Sequence, residues 1–375
     1  MTKGLISRVF AGLALAGSVL APIAPAHAGS LESEFDRAFV TSVAPKRAAT
    51  VQTPAKAVQV KVQPKVQAST ETAVRALPGS VRPYVAQPKP LAYASSLDAQ
   101  VFALADGSSG RIGVAAIDLA TGRTVSVLGD TPFPMASTSK IAIASTFLDM
   151  VDRGKLSLSA SYPLMVPVKS KKYSTLVAPV RAGSLMTGQQ LIERSLIHSD
   201  NMATDALLAA VGGPPAVNRW LRSTGNTGLH LDRDIATLVR DDGEYDPARM
   251  IDSRDSTTPM AMATLLSGLY QGRWLSSASR SFLMATMEQC VTGKRRMRAQ
   301  LPGDVVVAHK TGTLSNTSSD VGLIQTGNGH VYAVAIYVTG QGGHAGRDAK
   351  IASITRALYD GYQVEGGGYR VAVQH

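Results

Sequence analysis

The sequence predicts an α/β fold in which one antiparallel sheet is built from both ends of the folded part, with an all-helical subdomain inserted between them. Three observations carry this. Short β-branched runs bounded by Gly, Asp or Asn fall at 112–117 and 124–128, and again at 305–309, 321–324 and 331–338. Helical patterns fill the interval between the two groups. The composition, 45% hydrophobic and 17% charged over 375 residues, excludes a wholly disordered chain and suffices for a sizeable core.

The elements follow in chain order. Residues 1–28 read as a cleavable secretory signal: Lys3 and Arg8 precede an apolar run over 9–20, and Ala26-His27-Ala28 makes a small-x-small site. Pro22 and Pro25 keep that run short of the roughly 18 residues a spanning helix needs, and no cysteine follows the site for lipid attachment. Export to the periplasm or beyond is therefore expected. Residues 29–91 read as a disordered basic linker, because seven of the chain's 19 prolines fall there and break any helical or strand period. Of the formal +11, the signal carries +2 and the linker +5, which leaves +4 for residues 92–375. With the charge outside the folded part, a nucleic-acid partner is not expected. The linker is instead a candidate contact with an anionic envelope surface.

The catalytic domain is expected over 92–363, followed by a tail over 364–375. Asp118-Leu119-Ala120-Thr121-Gly122-Arg123 has the turn chemistry to pair the first two strands as a hairpin. Residues 139–151 are apolar nearly all round and predict a core helix. Thr187-Gly188-Gln189-Gln190 fits a capping box opening a helix to about His198. The next helix runs from Asn201 to Val211, where Gly212-Gly213-Pro214 stops it. The single cysteine, Cys290, excludes an intrachain disulfide and a Cys-rich zinc site, and is expected to be buried. Metalloprotease, P-loop and nucleophile-elbow motifs are all missing from the sequence.

Three short motifs carry chemistry together. Ser137-Thr138-Ser139-Lys140 places a hydroxyl and an amine three residues apart at the start of the core helix, so one turn brings both onto one face. An amine held neutral in a low-dielectric site can activate a serine, and the helix N-terminus favours a developing oxyanion. Ser199-Asp200-Asn201 falls between two helices, where Ser199 could relay a proton and Asn201 could hold an amide. Lys310-Thr311-Gly312, closing a predicted strand, supplies fixed positive charge and a close backbone approach that lets the Thr313 amide join that of Ser137 in an oxyanion hole. Each motif alone is compatible with capping or a solvated strand end.

Taken jointly, S-x-x-K, S-D-N and K-T-G make the sequence resemble the class A serine β-lactamases and their penicillin-binding DD-peptidase relatives, over about 111–362. The resemblance implies a three-layer α/β/α domain, a serine acyl-enzyme, no metal and no organic cofactor. It implies Ser137 as nucleophile, Lys140 as its base partner, Ser199 as proton shuttle, Asn201 as substrate-amide contact, and Lys310 with Thr311 as carboxylate site. Arg296 resembles a family arginine supporting that carboxylate; a solvated basic loop over 292–298 is the other reading. The implied substrate is a small β-lactam or a cell-wall peptide, and a monomer is expected.

One segment departs from the family. Efficient β-lactamases hold the deacylating water with Glu and Asn of an E-x-x-L-N segment in the omega loop, after an L-D-R motif. Here Leu231-Asp232-Arg233 is present, but the two positions are Ile235 and Val239. The loop is longer than the family norm, with a staple expected from Arg233 to Asp255, and its extra part holds Asp241, Asp242, Glu244 and Asp246. Either a loop carboxylate, Glu244 or Asp242, replaces the missing base, or nothing does and acylation outlasts turnover. General-base help is worth about 10² to 10⁴ in rate, so the second case is a slow-turnover penicillin-binding protein or a D-Ala-D-Ala peptidase.

Overall fold

The computed structural model describes residues 79–371 apart from Lys89 and Leu91, with side chains described as far as Glu365. The expected signal, and the linker up to residue 78, lie outside the described residues. The main sheet has five antiparallel strands: β1 (Gly110–Asp118), β2 (Thr124–Val127), β3 (Val306–Leu314), β4 (Thr317–Gln325) and β5 (Val331–Gly340). Their order is β3-β4-β5-β1-β2, so strands from both ends of the domain meet at β5-β1. The first hairpin forms as the turn residues require. Asp118 accepts from the Ala120 amide at 3.0 Å and the Thr121 hydroxyl at 2.8 Å, and Ile117 pairs with Thr124.

The helices are α1 (Ser96–Leu104), α2 (Ser139–Asp152), α3 (Gly188–Ile197), α4 (Asn201–Val211), α5 (Pro214–Ser223), α6 (Ile235–Arg240), α7 (Pro259–Tyr270), α8 (Ser277–Glu288) and α9 (His344–Val371). Strand periodicity sorts them into layers. Ala333, Ala335 and Tyr337 of β5 feed the core shared with α2 and its helical neighbours, whereas Val334, Ile336 and Val338 feed a second core with α1 and α9. Both faces are covered, which is why β5 reads as an unbroken apolar run. Three layers result, as the resemblance implied.

The α2 helix is buried on all sides, including Lys140. The expected capping box forms at α3: Thr187 accepts from the Gln190 amide at 3.2 Å and Gln190 accepts from the Thr187 amide at 2.9 Å. At the end of α4, Gly212 takes φ 97° and the Gly213 amide bonds to the Leu208 carbonyl, closing the helix.

Three boundaries differ from expectation. β3 runs to Leu314 rather than stopping at His309, so Lys310-Thr311-Gly312 lies inside an edge strand, with Lys310 opposite Val321. α9 continues through 363 to Val371, so the expected tail begins as helix. The end of the expected linker folds: Val81–Pro83 pairs antiparallel with Met250–Asp252. Among the described residues no helix is long and apolar enough to cross a membrane.

Candidate active site

Ser137 sits half-buried in the 3-10 turn Ala136–Thr138 that leads into α2, one turn from Lys140. The turn is strained, because Ala136 takes φ 48°, a left-handed value costly for a residue with a Cβ. It is held from two sides. The Met135 amide donates to the Asp255 carbonyl at 3.0 Å, and the Thr138 amide to the Met135 carbonyl at 3.0 Å. Across the turn lies Gly312 of β3. A Cβ there would come within 2.8 Å of the Met135 carbonyl and 3.1 Å of the Ala136 Cβ, so only glycine lets the strand abut the serine's turn.

Four of the expected residues converge on one point. Lys140 Nζ donates to Ser199 Oγ at 3.1 Å, to the Ser199 carbonyl at 2.5 Å and to Asn201 Oδ1 at 2.7 Å. Lys310 Nζ donates to the same Ser199 Oγ at 2.9 Å and to the Thr311 carbonyl at 2.9 Å. Two amines therefore share one hydroxyl. That is a geometry through which a proton can pass. Ser199 reaches it by adopting φ 60° between α3 and α4.

The middle residue of that tripeptide explains how. Asp200, not Ser199 or Asn201, caps α4, accepting from the Ala203 amide at 3.0 Å and pairing with Arg194. Burial works against its charge, but the Ala203 amide and the Arg194 guanidinium hold its carboxyl below the usual range. Capping by Asp200 leaves both neighbours free to face Lys140.

Behind β3 lies a buried polar layer. Arg296 is 2% exposed; it donates to Asp348 at 2.7 Å, to the Gly312 and Ser319 carbonyls at 3.1 Å each, and to Thr313 Oγ1 at 2.8 Å. The solvated-loop reading of Arg296 does not hold, since only its neighbours in the basic run face solvent. Burial opposes ionisation of Asp348, yet His344 and Arg296 hold its carboxyl below the usual range. Thr311 Oγ1 meets Thr292 Oγ1 at 2.5 Å, and Thr292 meets the buried Cys290 sulfur at 3.2 Å. His309 pairs with Asp320 at 2.8 Å. Burial alone would lower its imidazole, but Asp320 and Cys290 raise it to about 9. Burial would likewise raise the Cys290 thiol, but His309 and the charge of Lys310 bring it to about 7. Cys290 is thus buried as expected, though with polar partners and just past α8 rather than within a helix.

Arg233 and Asp255 join the two ends of the long loop. Arg233 Nε donates to Asp255 at 2.6 Å, and Asp255 also accepts the Asp232 and Arg233 amides. Ile235 opens α6 and is buried against the core, and Val239 packs beside it, so both positions that would hold water are apolar. Glu244 is not brought to the Lys140 cluster. Its carboxylate pairs with Arg254 at 2.9 Å and lines a cavity beneath the loop with Pro134, Leu238, Tyr245 and Leu314. Asp242 accepts from the Ser315 amide at 2.8 Å, Asp241 pairs with Arg240, and Asp246 accepts from Asn316. The acidic extension is a fastened structure.

Sequence reasoning missed one carboxylate. Asp205 lies four residues after Asn201, hence on the same face of α4, and is 5% exposed. It accepts the Ile235 amide at 2.7 Å and the Ala236 amide at 2.9 Å. Burial, with Asp234 nearby, outweighs those amides and the charge of Lys140, and lifts its carboxyl to about 7. A lone acid in the mostly apolar stretch from Met202 to Val211 was the signal available.

Among the described residues no cluster of His, Cys, Asp and Glu could hold a metal ion. A family model described as "Beta-lactamase enzyme family" matches residues 96–362. The chain is 34% identical over 253 residues to β-lactamase CTX-M-97 of Escherichia coli, covering 66% of this chain and 82% of that protein. It is 31% identical over 254 residues to β-lactamase SME-1 of Serratia marcescens, covering 66% and 83%. Among solved structures, an ancestral Gram-negative class A β-lactamase matches with TM-score 0.61 and 38% identity, covering 71% of this chain and all of that one. A β-lactamase from Chitinophaga pinensis matches with TM-score 0.63 and 28% identity, covering 72% and 100%.

Proposed function

The chain belongs to the class A β-lactamase family, and from that premise we propose that it hydrolyses the amide of a β-lactam through an acyl-enzyme on Ser137. The observation that carries this is the meeting of Lys140 and Lys310 on Ser199 Oγ, with Asn201 accepting from Lys140, near the serine's turn. Lys140 takes the Ser137 proton as the hydroxyl attacks the lactam carbonyl. The amides of Ser137 and Thr313 hold the oxyanion, and Ser199 passes its proton to the departing nitrogen and takes in exchange the one Lys140 gained from Ser137. Lys310 and Thr311 bind the substrate carboxylate, with Arg296 bracing the strand from behind, and Asn201 holds the side-chain amide. Water then releases the product. No metal or organic cofactor enters the scheme.

A second reading is favoured by one observation: Ile235 and Val239 are apolar, and Glu244 is paired with Arg254. On it, deacylation is slow and the protein acts as a penicillin-binding D-Ala-D-Ala peptidase or a β-lactam or muropeptide binder. Incubation with a chromogenic cephalosporin and with penicillins, followed by intact mass over time, separates the two. Turnover with a transient adduct supports hydrolysis. A persistent adduct on Ser137 without turnover supports the second reading, and D-alanine release from a peptide then identifies the peptidase. Absence of any adduct removes the acyl-transfer account. The chain is further read as an exported monomer whose basic linker rests near an anionic envelope. Equal co-sedimentation with peptidoglycan with and without residues 31–78 would overturn the linker's part.

A further inference from the structure

A path of backbone pairing runs from the end of the linker to the nucleophile. Val81–Pro83 adds as a strand to Met250–Asp252 of the omega-loop extension, with Val81 opposite Asp252 and Pro83 opposite Met250. The Tyr84 amide donates to the Arg249 carbonyl at 2.7 Å, and the Ser253 amide to the Ser80 carbonyl at 2.9 Å. Antiparallel alternation then makes Arg82 and Ile251 the hydrogen-bonded pair between these two, and leaves Pro83 where no donor is needed. Val81 and Ile251 are both buried, at 5% and 3% exposure. This is a packed strand.

Beyond Ser253 the chain goes directly to Asp255, whose carbonyl accepts the Met135 amide two residues before Ser137. Ser256–Thr257 then pairs with Phe133–Pro134. A second tie joins the same segments. The buried Arg111 guanidinium donates to the Pro247 carbonyl at 2.9 Å, the Met250 carbonyl at 3.3 Å and the Pro132 carbonyl at 2.8 Å, and lies 4.5 Å from the Phe133 ring and 5.3 Å from the Tyr84 ring. Strap, loop extension and the approach to the nucleophile share one clamp.

We infer that Ser80–Tyr84 is a positioning element for Ser137: its strand addition fixes the 249–255 segment, and through Asp255 and Arg111 that segment holds the strained turn at Ala136 in its acylation-competent form. The kinetic part rests on the Ser137 acyl-transfer reading; the structural part does not. A left-handed alanine persists only while its surroundings over-determine it, and releasing one side of the clamp lets the turn relax. Misplacing a nucleophile by about 1 Å costs on the order of 10² in rate, and partial release is expected to cost about tenfold.

The test uses the full mature chain with Arg82→Pro, which removes the central strand amide, beside Arg82→Ala, which keeps it; the Arg82 side chain itself is exposed. Burst-phase acylation by a penicillin, read by intact mass, is expected to slow about tenfold in Arg82→Pro and to stay at the wild-type rate in Arg82→Ala. Hydrogen exchange is expected to accelerate at 249–255 and at Met135 in the proline variant only. Equal acylation and equal exchange in both variants overturn the inference. Should the proline variant unfold globally, the wild type decides: exchange at unprotected rates by the Tyr84 and Ser253 amides overturns it, and protection there matching that of Met135 supports it. A wild type that forms no adduct removes the catalytic reading and leaves the exchange arm standing.

Discussion

Asp205→Asn offers a prediction whose sign and size follow from the structure. The Asp205 carboxyl has an ordinary value of 3.8 and is lifted to about 7 in the fold, chiefly by burial. Between those values the folded state keeps a proton that the unfolded state has released. Stability from this group is therefore complete below about pH 4 and is lost as pH rises through about 7. Each pH unit in that window costs about 1.4 kcal/mol, so moving from pH 5 to pH 8 removes roughly 3 kcal/mol from the wild type through this residue alone. Asparagine does not titrate. It keeps one acceptor for the Ile235 and Ala236 amides and strands the other, at a pH-independent cost of about 1–3 kcal/mol. Urea denaturation of both proteins at pH 5 and pH 8 is the assay. The variant is expected to be the less stable at pH 5 and to gain roughly 3 kcal/mol relative to wild type by pH 8. A stability difference that does not change with pH would refute the raised carboxyl.

Four further changes are expected to read out the site. Arg296→Ala leaves Asp348 buried without its cation and removes the bonds to β3; it should cost about 3–5 kcal/mol by denaturation and raise KM for carboxylate-bearing β-lactams, with Arg296→Lys recovering only part. Gly312→Ala drives a methyl group to within 2.5 Å of Ser319 Oγ and 2.8 Å of the Met135 carbonyl, so adduct formation at Ser137 should slow by about 10² or more while the fold survives in circular dichroism. Glu244→Gln breaks only a partly exposed ion pair with Arg254 and should leave deacylation unchanged, with stability altered by about 0–1 kcal/mol; a selective loss of deacylation would restore Glu244 as the base. The double substitution Ile235→Glu with Val239→Asn returns the family's water-holding pair, and should accelerate decay of a penicillin adduct by about 10² to 10⁴ in stopped-flow mass measurements.

How much of this was legible in the sequence depends on the range of the interaction involved. Ser137, Lys140, Ser199, Asn201 and Lys310 stood out because each sits in a three- or four-residue motif whose local geometry is fixed by a helix start, a two-helix junction or a strand. The helix ends were legible for the same reason, since Thr187 and Gly212 act within one turn. Arg296 was singled out by the resemblance but left open against a solvated loop, because 294–298 offers four basic residues and only the packing of Asp348 and Gly312 selects the one that turns inward. β3 looked shorter than it is because Lys310-Thr311-Gly312-Thr313 is polar, and it is buried by partners from β4, α9 and the 292–296 turn.

The loop shows where residue counting loses its grip on chemistry. Four acids in the extension invited a search for a replacement base, since a carboxylate near the catalytic register is what the missing position calls for. Yet Asp241, Asp242, Glu244 and Asp246 are each engaged by a fixed partner, and none of those partners belongs to the Lys140 cluster. Arg240 and Arg254 lie in the loop itself, but Tyr173, Ser315 and Asn316 belong to distant segments, whose proximity no pattern in the loop encodes. The strap is the same case at longer range: Val81 and Asp252 are paired across more than half of the domain's sequence. The extra length of the loop is therefore consumed in reaching β3, Arg111 and the strap. The loop's acids are thus fastened to their neighbours, and the carboxyl that burial lifts furthest, Asp205, lies on α4 and holds the start of α6 through the Ile235 and Ala236 amides.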